Sequence, residues 1–226
     1  MSGHQLLDYN PPPDDGLDLL WADDHVLIVN KPSGLLSVPG RGEAFADCMA
    51  ARVQARFADA LIVHRLDMDT SGLLLLARGK DMQRQFSDLF LHRQIDKRYV
   101  AVVHGLMPHD EGLVDLPLIT DWPNRPRQKV DHEIGKPSQT RYVVVQRDEQ
   151  AQTTRVELEP ITGRSHQLRV HMLALGHPIV GDPLYAQGLP GPNAGRVSRL
   201  MLRAARLNLQ HPVTGASMNI DCSVPF

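Results

Sequence analysis

The sequence predicts an α+β fold built from many short strands. Short apolar runs closed by Gly, Pro, Asn or Asp recur along the chain, as the strands of a sheet require. Two stretches instead repeat apolar residues at helical spacing. With 226 residues, of which 42% are hydrophobic and 22% charged, the chain has the composition of a globular protein that can bury a sizeable core.

The N-terminal part predicts an extended arm followed by a hairpin. Residues 1–16 contain the run Pro11-Pro12-Pro13-Asp14-Asp15-Gly16, which is typical of an extended, poorly ordered segment. Residues 17–22 and 26–30 are apolar runs separated by a polar turn, the pattern of a β-hairpin. We therefore expect an arm over residues 1–16 and a single domain over residues 17–226.

The most informative stretch is a polar turn between two apolar runs. Residues 61–63 lead into His64-Arg65-Leu66-Asp67-Met68-Asp69-Thr70-Ser71-Gly72, and four leucines follow at 73–76. Both apolar runs predict strands in the interior of a sheet. Burying charged side chains is costly unless they are paired. A turn this rich in titratable residues between two buried strands therefore indicates a functional site.

Other interpretations of this turn stay open on its residues alone. The run Asp69-Thr70-Ser71-Gly72 is also typical of an ordinary turn or a helix cap. His64, Asp67 and Asp69 could ligate a hard metal ion in a metal-dependent hydrolase, because carboxylate and imidazole groups suit several metals. The sequence has no HxxxH or CxxC pair beside them, so we expect neither a metal nor a cofactor.

Two helices and a series of strands surround the turn. Apolar residues at helical spacing predict an amphipathic helix over residues 44–58 and a second one over residues 80–92. Alternating or continuous apolar runs predict the following strands. They cover residues 97–105, 115–119, 136–146 and 154–158.

The second half of the chain has two polar stretches of interest. Residues 121–129 form a basic loop that contains Trp122, Arg125, Arg127 and Lys129. Such a loop can contact RNA phosphates and bases, or it can be ordinary surface. Further on, Ser165 predicts the cap of a helix that ends before Gly176. Residues 187–195 are rich in Gly and Pro and predict a mobile excursion.

The net charge and the number of cysteines limit the class of protein. The net charge is -2, but residues 1–30 hold six acids and no Lys or Arg, so 20 acidic and 24 basic residues remain for the rest of the chain. A modest basic remainder permits a phosphate-binding face. Two cysteines, Cys48 and Cys222, predict reduced thiols in a cytoplasmic protein. No secretory signal or membrane-spanning run is evident.

His64-Arg65-Leu66-Asp67 followed by Thr70-Ser71-Gly72 resembles the active-site signature of the RluA family of pseudouridine synthases. The resemblance extends over most of the chain, from the run Tyr9-Asn10-Pro11-Pro12 through residues 30–40 and the basic loop to the C-terminal part. It implies a mixed, largely antiparallel central sheet with flanking helices and an RNA cleft across its middle. It also implies a monomer without a cofactor and without an appended RNA-binding domain of the S4 type.

The resemblance also implies roles for individual residues. Asp67 is expected to be the catalytic aspartate, Tyr99 to stack on the target base, and Arg169 to pair with Asp67. Arg65 is expected to occupy the space near the flipped base, and Leu202 to pack near the site. The full set of expected RNA contacts is His64, Arg65, Trp122, Arg125, Arg127, Lys129 and Arg164.

The implied activity is the conversion of uridine to pseudouridine in large-subunit rRNA and in the tRNA anticodon stem-loop. Members of the family usually read Leu-Leu-His-Ala near the last strand, whereas this chain has Met201-Leu202-Arg203-Ala204. The change from His to Arg adds a permanent charge at position 203. A non-catalytic RNA-binding module is the alternative from another functional class.

Overall fold

The computed structural model describes residues 9–189 and 199–226. The predicted excursion over residues 187–195 therefore lies largely outside the described residues, as does the first half of the predicted arm. The strands of the described part are β1 (Leu19–Ala22), β2 (Val26–Lys31), β3 (Ala60–Ile62), β4 (Ser71–Arg78), β5 (Asp96–His104), β6 (Glu111–Asp115), β7 (Leu118–Thr120), β8 (Gln128–Val130), β9 (Gln139–Asp148), β10 (Thr153–Pro160), β11 (Leu202–Gln210) and β12 (Ser217–Asp221). The α-helices are α1 (Met49–Gln54), α2 (Gly79–Leu91) and α3 (Gln167–Ala174), with 3-10 turns at Glu43–Phe45 and Trp122–Asn124.

One large sheet organises the described residues. Its strand order is β1-β2-β4-β11-β5-β10-β9-β6, with β12 beside β11 and β3 beside β4. The pairing of β4 with β11 is parallel, and the other pairings in this sheet are antiparallel. Strands β7 and β8 form a separate hairpin. The predicted fold class, a mixed and largely antiparallel sheet with flanking helices, is confirmed.

Two hydrophobic cores lie along this sheet. The first surrounds β2, β4, α1 and α2, where Leu73–Leu76 are fully buried. The second surrounds β5, β10 and α3. Tyr99 packs against both cores, so it marks the line where they meet. None of the helices in the described ranges has the length and hydropathy needed to cross a bilayer.

The junction of β4 and β11 depends on Gly72. This residue has φ of 110°, in the region that favours glycine. A Cβ atom at position 72 would lie 2.2 Å from the carbonyl oxygen of Ala204 on β11. The two strands can therefore approach each other only because position 72 carries no side chain.

We expect Gly72→Ala to lower the free energy of unfolding by about 3 kcal/mol or more, because it adds a backbone clash to an unfavourable φ. The matched control is Gly16→Ala, since Gly16 has φ of 95° but no described atom within 4 Å of the added Cβ. Its cost should be only about 1–2 kcal/mol. Urea unfolding measures both variants, and equal losses would contradict a role for close strand approach.

The predicted helix over residues 44–58 is wrong in extent. Only Met49–Gln54 is α-helical, after a short 3-10 turn. Cys48 is extended, and its Sγ accepts a hydrogen bond from the Ala51 N–H, so it caps the helix. The N–H groups of Met49 and Ala50 donate to the carbonyls of Leu36 and Ser37. These long-range bonds fix where the helix starts, which helical spacing cannot show.

The start of α3 also differs from the prediction. Helix α3 begins after His166, which has φ of 52°, and no side-chain cap bond is made at its start. Instead, the Gln167 side chain reaches back, and its Oε1 accepts the N–H of Arg164. Ser165 is therefore not the cap. Gly176, with φ of 81°, ends the helical segment as expected.

The described half of the arm contains no helix or strand and lies against the body of the protein. The Tyr9 hydroxyl donates to the Asp47 carbonyl and accepts the Leu36 N–H. The Arg52 guanidinium donates to the Pro12 and Pro13 carbonyls. These contacts attach residues 9–16 beside the start of α1.

Candidate active site

The polar turn after β3 is anchored on both sides of Asp67. On the near side, the Ser37 hydroxyl donates to the Leu66 carbonyl at 2.7 Å and accepts the Leu66 N–H at 3.0 Å. On the far side, the Gly34 N–H donates to the Met68 carbonyl, and the Ser33 hydroxyl donates to the Asp69 carbonyl. The backbone that carries Asp67 is therefore held by the loop after β2.

Lys31 is a structural residue that the sequence analysis missed. Its side chain is fully buried, and Nζ donates to three carbonyl oxygens, those of Pro32, Leu35 and Met68, at 2.6–2.9 Å. Burial lowers the pKa of Lys31 to about 7, against the opposing charges of Asp69 and Asp67. This lysine ties the loop after β2 to the residue next to Asp67.

Asp67 points its carboxylate into the cleft without a hydrogen bond from any described residue. Its side chain is 22% exposed, and the nearest cation is Arg169, whose Nη1 lies 3.7 Å from Oδ2. Burial raises the pKa of the neighbouring Asp69, while Arg169 and Lys31 oppose the shift. Asp67 thus has free lone pairs for chemistry beside a fixed positive charge.

Arg169 is held in place mainly by Asp182, which the sequence analysis did not single out. The two side chains are 2% and 0% exposed, and they form two parallel hydrogen bonds of 2.7 Å. Burial disfavours the charge on Arg169, but Asp182 outweighs this and raises the pKa of the guanidinium. Asp182 also accepts the N–H groups of Leu184 and Tyr185. The predicted neighbour Asp67 is therefore the second partner of Arg169.

A cleft of about 630 Å³ opens above these residues. Asp67 and Arg169 line it together with Tyr99 on β5 and Leu202 on β11. Burial raises the pKa of Tyr99 well above its usual value, and the charge of Asp67 adds to the shift, so the phenol stays protonated. The structure thus brings together the four residues predicted to lie at or beside the reacting base.

His64, one of the predicted RNA contacts, lines the cleft and is also bonded to β4. Its Nε2 accepts the Leu75 N–H at 2.9 Å, and its ring stacks on Phe90 with centroids 4.4 Å apart. Burial lowers the pKa of His64 to about 3, with a further contribution from Lys97. The imidazole is therefore neutral and bonded to β4, although it also lines the cleft.

The bond to Leu75 also removes His64 Nε2 from any metal. In the residues that the structure describes, no group of three His, Cys, Asp or Glu side chains is placed to hold a metal ion. The hydrolase hypothesis based on His64, Asp67 and Asp69 thus has no ligand set in the described residues.

We expect His64 to make the protein sensitive to acid. In the unfolded chain a histidine binds a proton below about pH 6.5, whereas folded His64 resists protonation until about pH 3. The free energy of unfolding therefore has its full value above about pH 6.5, the pKa of the histidine in the unfolded chain. It falls as the pH drops toward about 3, the pKa of His64 in the folded protein, and the loss at about pH 5 is about 2 kcal/mol.

The matched variant is His64→Gln, which keeps an acceptor for the Leu75 N–H but does not titrate. Urea unfolding at several pH values measures the difference between the two proteins. The two stability curves should diverge below about pH 6.5, and parallel curves would contradict the assignment of a neutral imidazole that is bonded to the Leu75 N–H.

The other predicted RNA contacts lie in two places, the cleft and the basic loop. Arg65 and Arg164 are exposed and line the cleft. In the basic loop, Trp122 is 65% exposed and the Arg125 guanidinium lies 4.2 Å from the centre of its indole. Lys129 pairs with Asp131. These loop residues do not line the cleft, so any RNA contact that they make is outside the pocket that holds Asp67.

Position 203 lies on the opposite side of β11 from Leu202. The Arg203 side chain is buried and donates to Ser71 Oγ and Asn30 Oδ1. Asn30 in turn donates to Asp18 at 2.7 Å. The positive charge at position 203 is thus linked through the Asn30 amide to the Asp18 carboxylate rather than to Asp67.

Comparison with known proteins identifies the family of this chain. The family model for RNA pseudouridylate synthase matches residues 25–174. The chain therefore belongs to the pseudouridine synthase family, whose members isomerise uridine in RNA. It is 52% identical over 219 residues to the dual-specificity RNA pseudouridine synthase RluA of Escherichia coli K12, covering 96% of this chain and 98% of that protein.

Further relatives support the same family. The RluA protein of Vibrio vulnificus is 53% identical over 211 residues, covering 92% of this chain and 83% of its own. Among solved structures, human RNA pseudouridylate synthase domain containing 1 has a TM-score of 0.78 at 29% identity, covering 96% of this chain and 87% of that one.

Proposed function

We propose that this enzyme converts uridine to pseudouridine at specific positions of both large-subunit rRNA and the tRNA anticodon stem-loop. The observation that carries the proposal is the Asp67 carboxylate, which faces the cleft unbonded by the described residues, with Arg169 at 3.7 Å. The similarity to proteins named as dual-specificity RNA pseudouridine synthases supports two classes of RNA substrate.

The chemistry needs one carboxylate and no redox step. The N1–C1′ glycosidic bond breaks, the uracil turns, and C5 joins C1′. C5 then loses a proton and N1 gains one, so the product is an isomer of the substrate. Asp67 can serve as the nucleophile at C1′, as the base, or as the partner of positive charge on the sugar. In each of these roles the carboxylate must be ionised, and Arg169 supplies the positive charge beside it.

The target uridine must leave its stacked position to reach Asp67, at a cost of about a few kcal/mol. Tyr99 and Leu202 line the cleft beside Asp67, so the phenol ring and the leucine offer apolar surface to replace the lost stacking. Arg65, exposed at the cleft, can stack its guanidinium in the vacated space or meet a phosphate. Base flipping is thus part of the proposal.

The test is a tritium-release assay with uridine labelled at C5, using an rRNA fragment and a tRNA anticodon stem-loop in parallel. Release from both RNAs is expected, followed by mapping of the modified positions. Release from one RNA only would reduce the proposal to a single-target enzyme. Binding without release would favour the RNA-binding module instead.

Addition of a chelator should leave the rate of pseudouridine formation unchanged. Loss of activity in chelator that is restored by one divalent ion would overturn the metal-free mechanism.

We further propose that the protein acts as a monomer in the cytoplasm. Asp67, Tyr99, Arg169 and Leu202 line one cleft within a single chain, which is the arrangement that a monomeric enzyme needs. The two cysteines, one buried and one partly buried, are unpaired, as expected in a reducing compartment. Light scattering of the purified protein and fractionation of cells test the two statements separately.

A further inference from the structure

Tyr185 is a buried residue that contacts three parts of the molecule near the cleft. It is 5% exposed and follows the aspartate that holds Arg169. Its hydroxyl accepts the Gln128 N–H of the basic loop at 2.7 Å. The same oxygen lies 2.8 Å from His166 Nδ1. Because burial lowers the pKa of His166, the imidazole is neutral, and the phenol can donate to it.

The ring of Tyr185 contacts two arginines of different function. The Arg169 guanidinium carbon lies 5.1 Å from the ring centre, and that of Arg127 lies 5.3 Å from it. Arg169 is the buried cation beside Asp67, whereas Arg127 belongs to the basic loop and is partly exposed. A single aromatic side chain therefore connects a solvent-facing cation to the cation at the reacting centre.

The distance between Arg169 and Asp67 is such that a small shift of either side chain changes their interaction. At 3.7 Å the two charges are in contact range but do not form a hydrogen bond. A small displacement of the guanidinium toward Asp67 would form a hydrogen bond between the two side chains. Such a displacement requires movement of the groups that hold Arg169, which are Asp182 and Tyr185.

We propose that Tyr185 is a positioning residue that transmits RNA contact at Arg127 to the Arg169–Asp67 pair. A phosphate bound by Arg127 fixes the guanidinium over the ring, and the Gln128 hydrogen bond holds the ring to the same loop. Arg169 is thereby held toward Asp67 when RNA lies on the basic loop. This inference rests on the proposed function, because it needs an RNA substrate that is turned over.

The test is a double-mutant cycle between Arg127→Ala and Tyr185→Leu, measured as the single-turnover rate at saturating RNA and, separately, as RNA affinity. Arg127→Ala should lower the saturated rate about three- to tenfold in the otherwise intact enzyme. In the Tyr185→Leu background it should lower the rate far less. Tyr185→Phe keeps the ring but loses the hydrogen bond to Gln128, so in that background Arg127→Ala should lower the rate more than in Tyr185→Leu and less than in the otherwise intact enzyme.

The matched control is Arg125→Ala, because Arg125 lies over Trp122 rather than over Tyr185. Its fold effect on rate and affinity should be the same in all Tyr185 backgrounds. Equal effects of Arg127→Ala with and without the ring would overturn the inference. If Tyr185→Leu does not fold, the saturated rate of Arg127→Ala alone decides, and an unchanged rate overturns the inference. If the intact enzyme converts no RNA, the proposed function fails instead.

Discussion

Asp67→Asn is expected to abolish pseudouridine formation while leaving the fold and RNA affinity largely intact. Amide and carboxylate have similar shapes, but only the carboxylate carries the charge that each candidate mechanism requires. Its loss should also be structurally mild, since the Asp67 side chain is partly exposed and accepts no hydrogen bond from a described residue. We expect the single-turnover rate to fall by at least about 10⁴-fold, with binding measured separately by filter retention.

The matched control for this substitution is Asp69→Asn in the same turn. Burial disfavours the charge of Asp69 and raises its pKa, while Arg169 and Lys31 oppose the shift, so removal of this charge should cost less than removal of the charge on Asp67. We expect this variant to lose far less activity than Asp67→Asn. Turnover by Asp67→Asn at more than a trace of the intact enzyme would refute the assignment of the catalytic carboxylate.

The spacing of apolar residues predicted those strands and helices whose positions do not depend on hydrogen bonds between distant segments. The hairpin of β1 and β2, the buried leucine strand β4 and the amphipathic helix α2 each follow from the spacing of apolar residues. The helix around Cys48 did not follow, because distant carbonyls of the preceding loop fix its start. The fold class was thus predictable, whereas the ends of elements that depend on long-range bonds were not.

The candidate site shows the same limit. Asp67, Tyr99, Arg169 and Leu202 were selected from the motifs that resemble the family, and the structure places all four at the cleft. Lys31, Asp182 and Tyr185 were not selected, because their roles come from contacts between distant segments. A fully buried lysine that bonds three carbonyls has no signature in spacing or composition. Arg127, which sequence alone treats as an independent phosphate contact, is connected to Arg169 through Tyr185.

Arg169→Ala is expected to damage both stability and turnover, because the structure gives the arginine two carboxylate partners. Removing the guanidinium leaves the Asp182 carboxylate, whose side chain is 0% exposed, without its cation. Such an uncompensated buried charge costs about 3–5 kcal/mol of the free energy of unfolding. A loss of activity in this variant alone would therefore not show that Arg169 acts on Asp67.

The double variant Arg169→Met, Asp182→Asn separates the two effects. It removes both buried charges together and keeps a side-chain oxygen at position 182 for the N–H groups of Leu184 and Tyr185, so the free energy of unfolding should return to within about 1–2 kcal/mol of the intact protein. The cation 3.7 Å from Asp67 is still missing, so turnover at saturating RNA should stay low. RNA affinity should change little, because the side chains of Arg169 and Asp182 are buried and present almost no surface to a bound RNA. Urea unfolding, single-turnover rates and binding at two salt concentrations give these quantities.

If the double variant recovers both stability and turnover, Arg169 serves the fold alone. If it recovers stability but binds RNA weakly in a strongly salt-dependent way, Arg169 is a phosphate contact. Recovery of stability without recovery of the rate is the result that places the catalytic charge at Arg169.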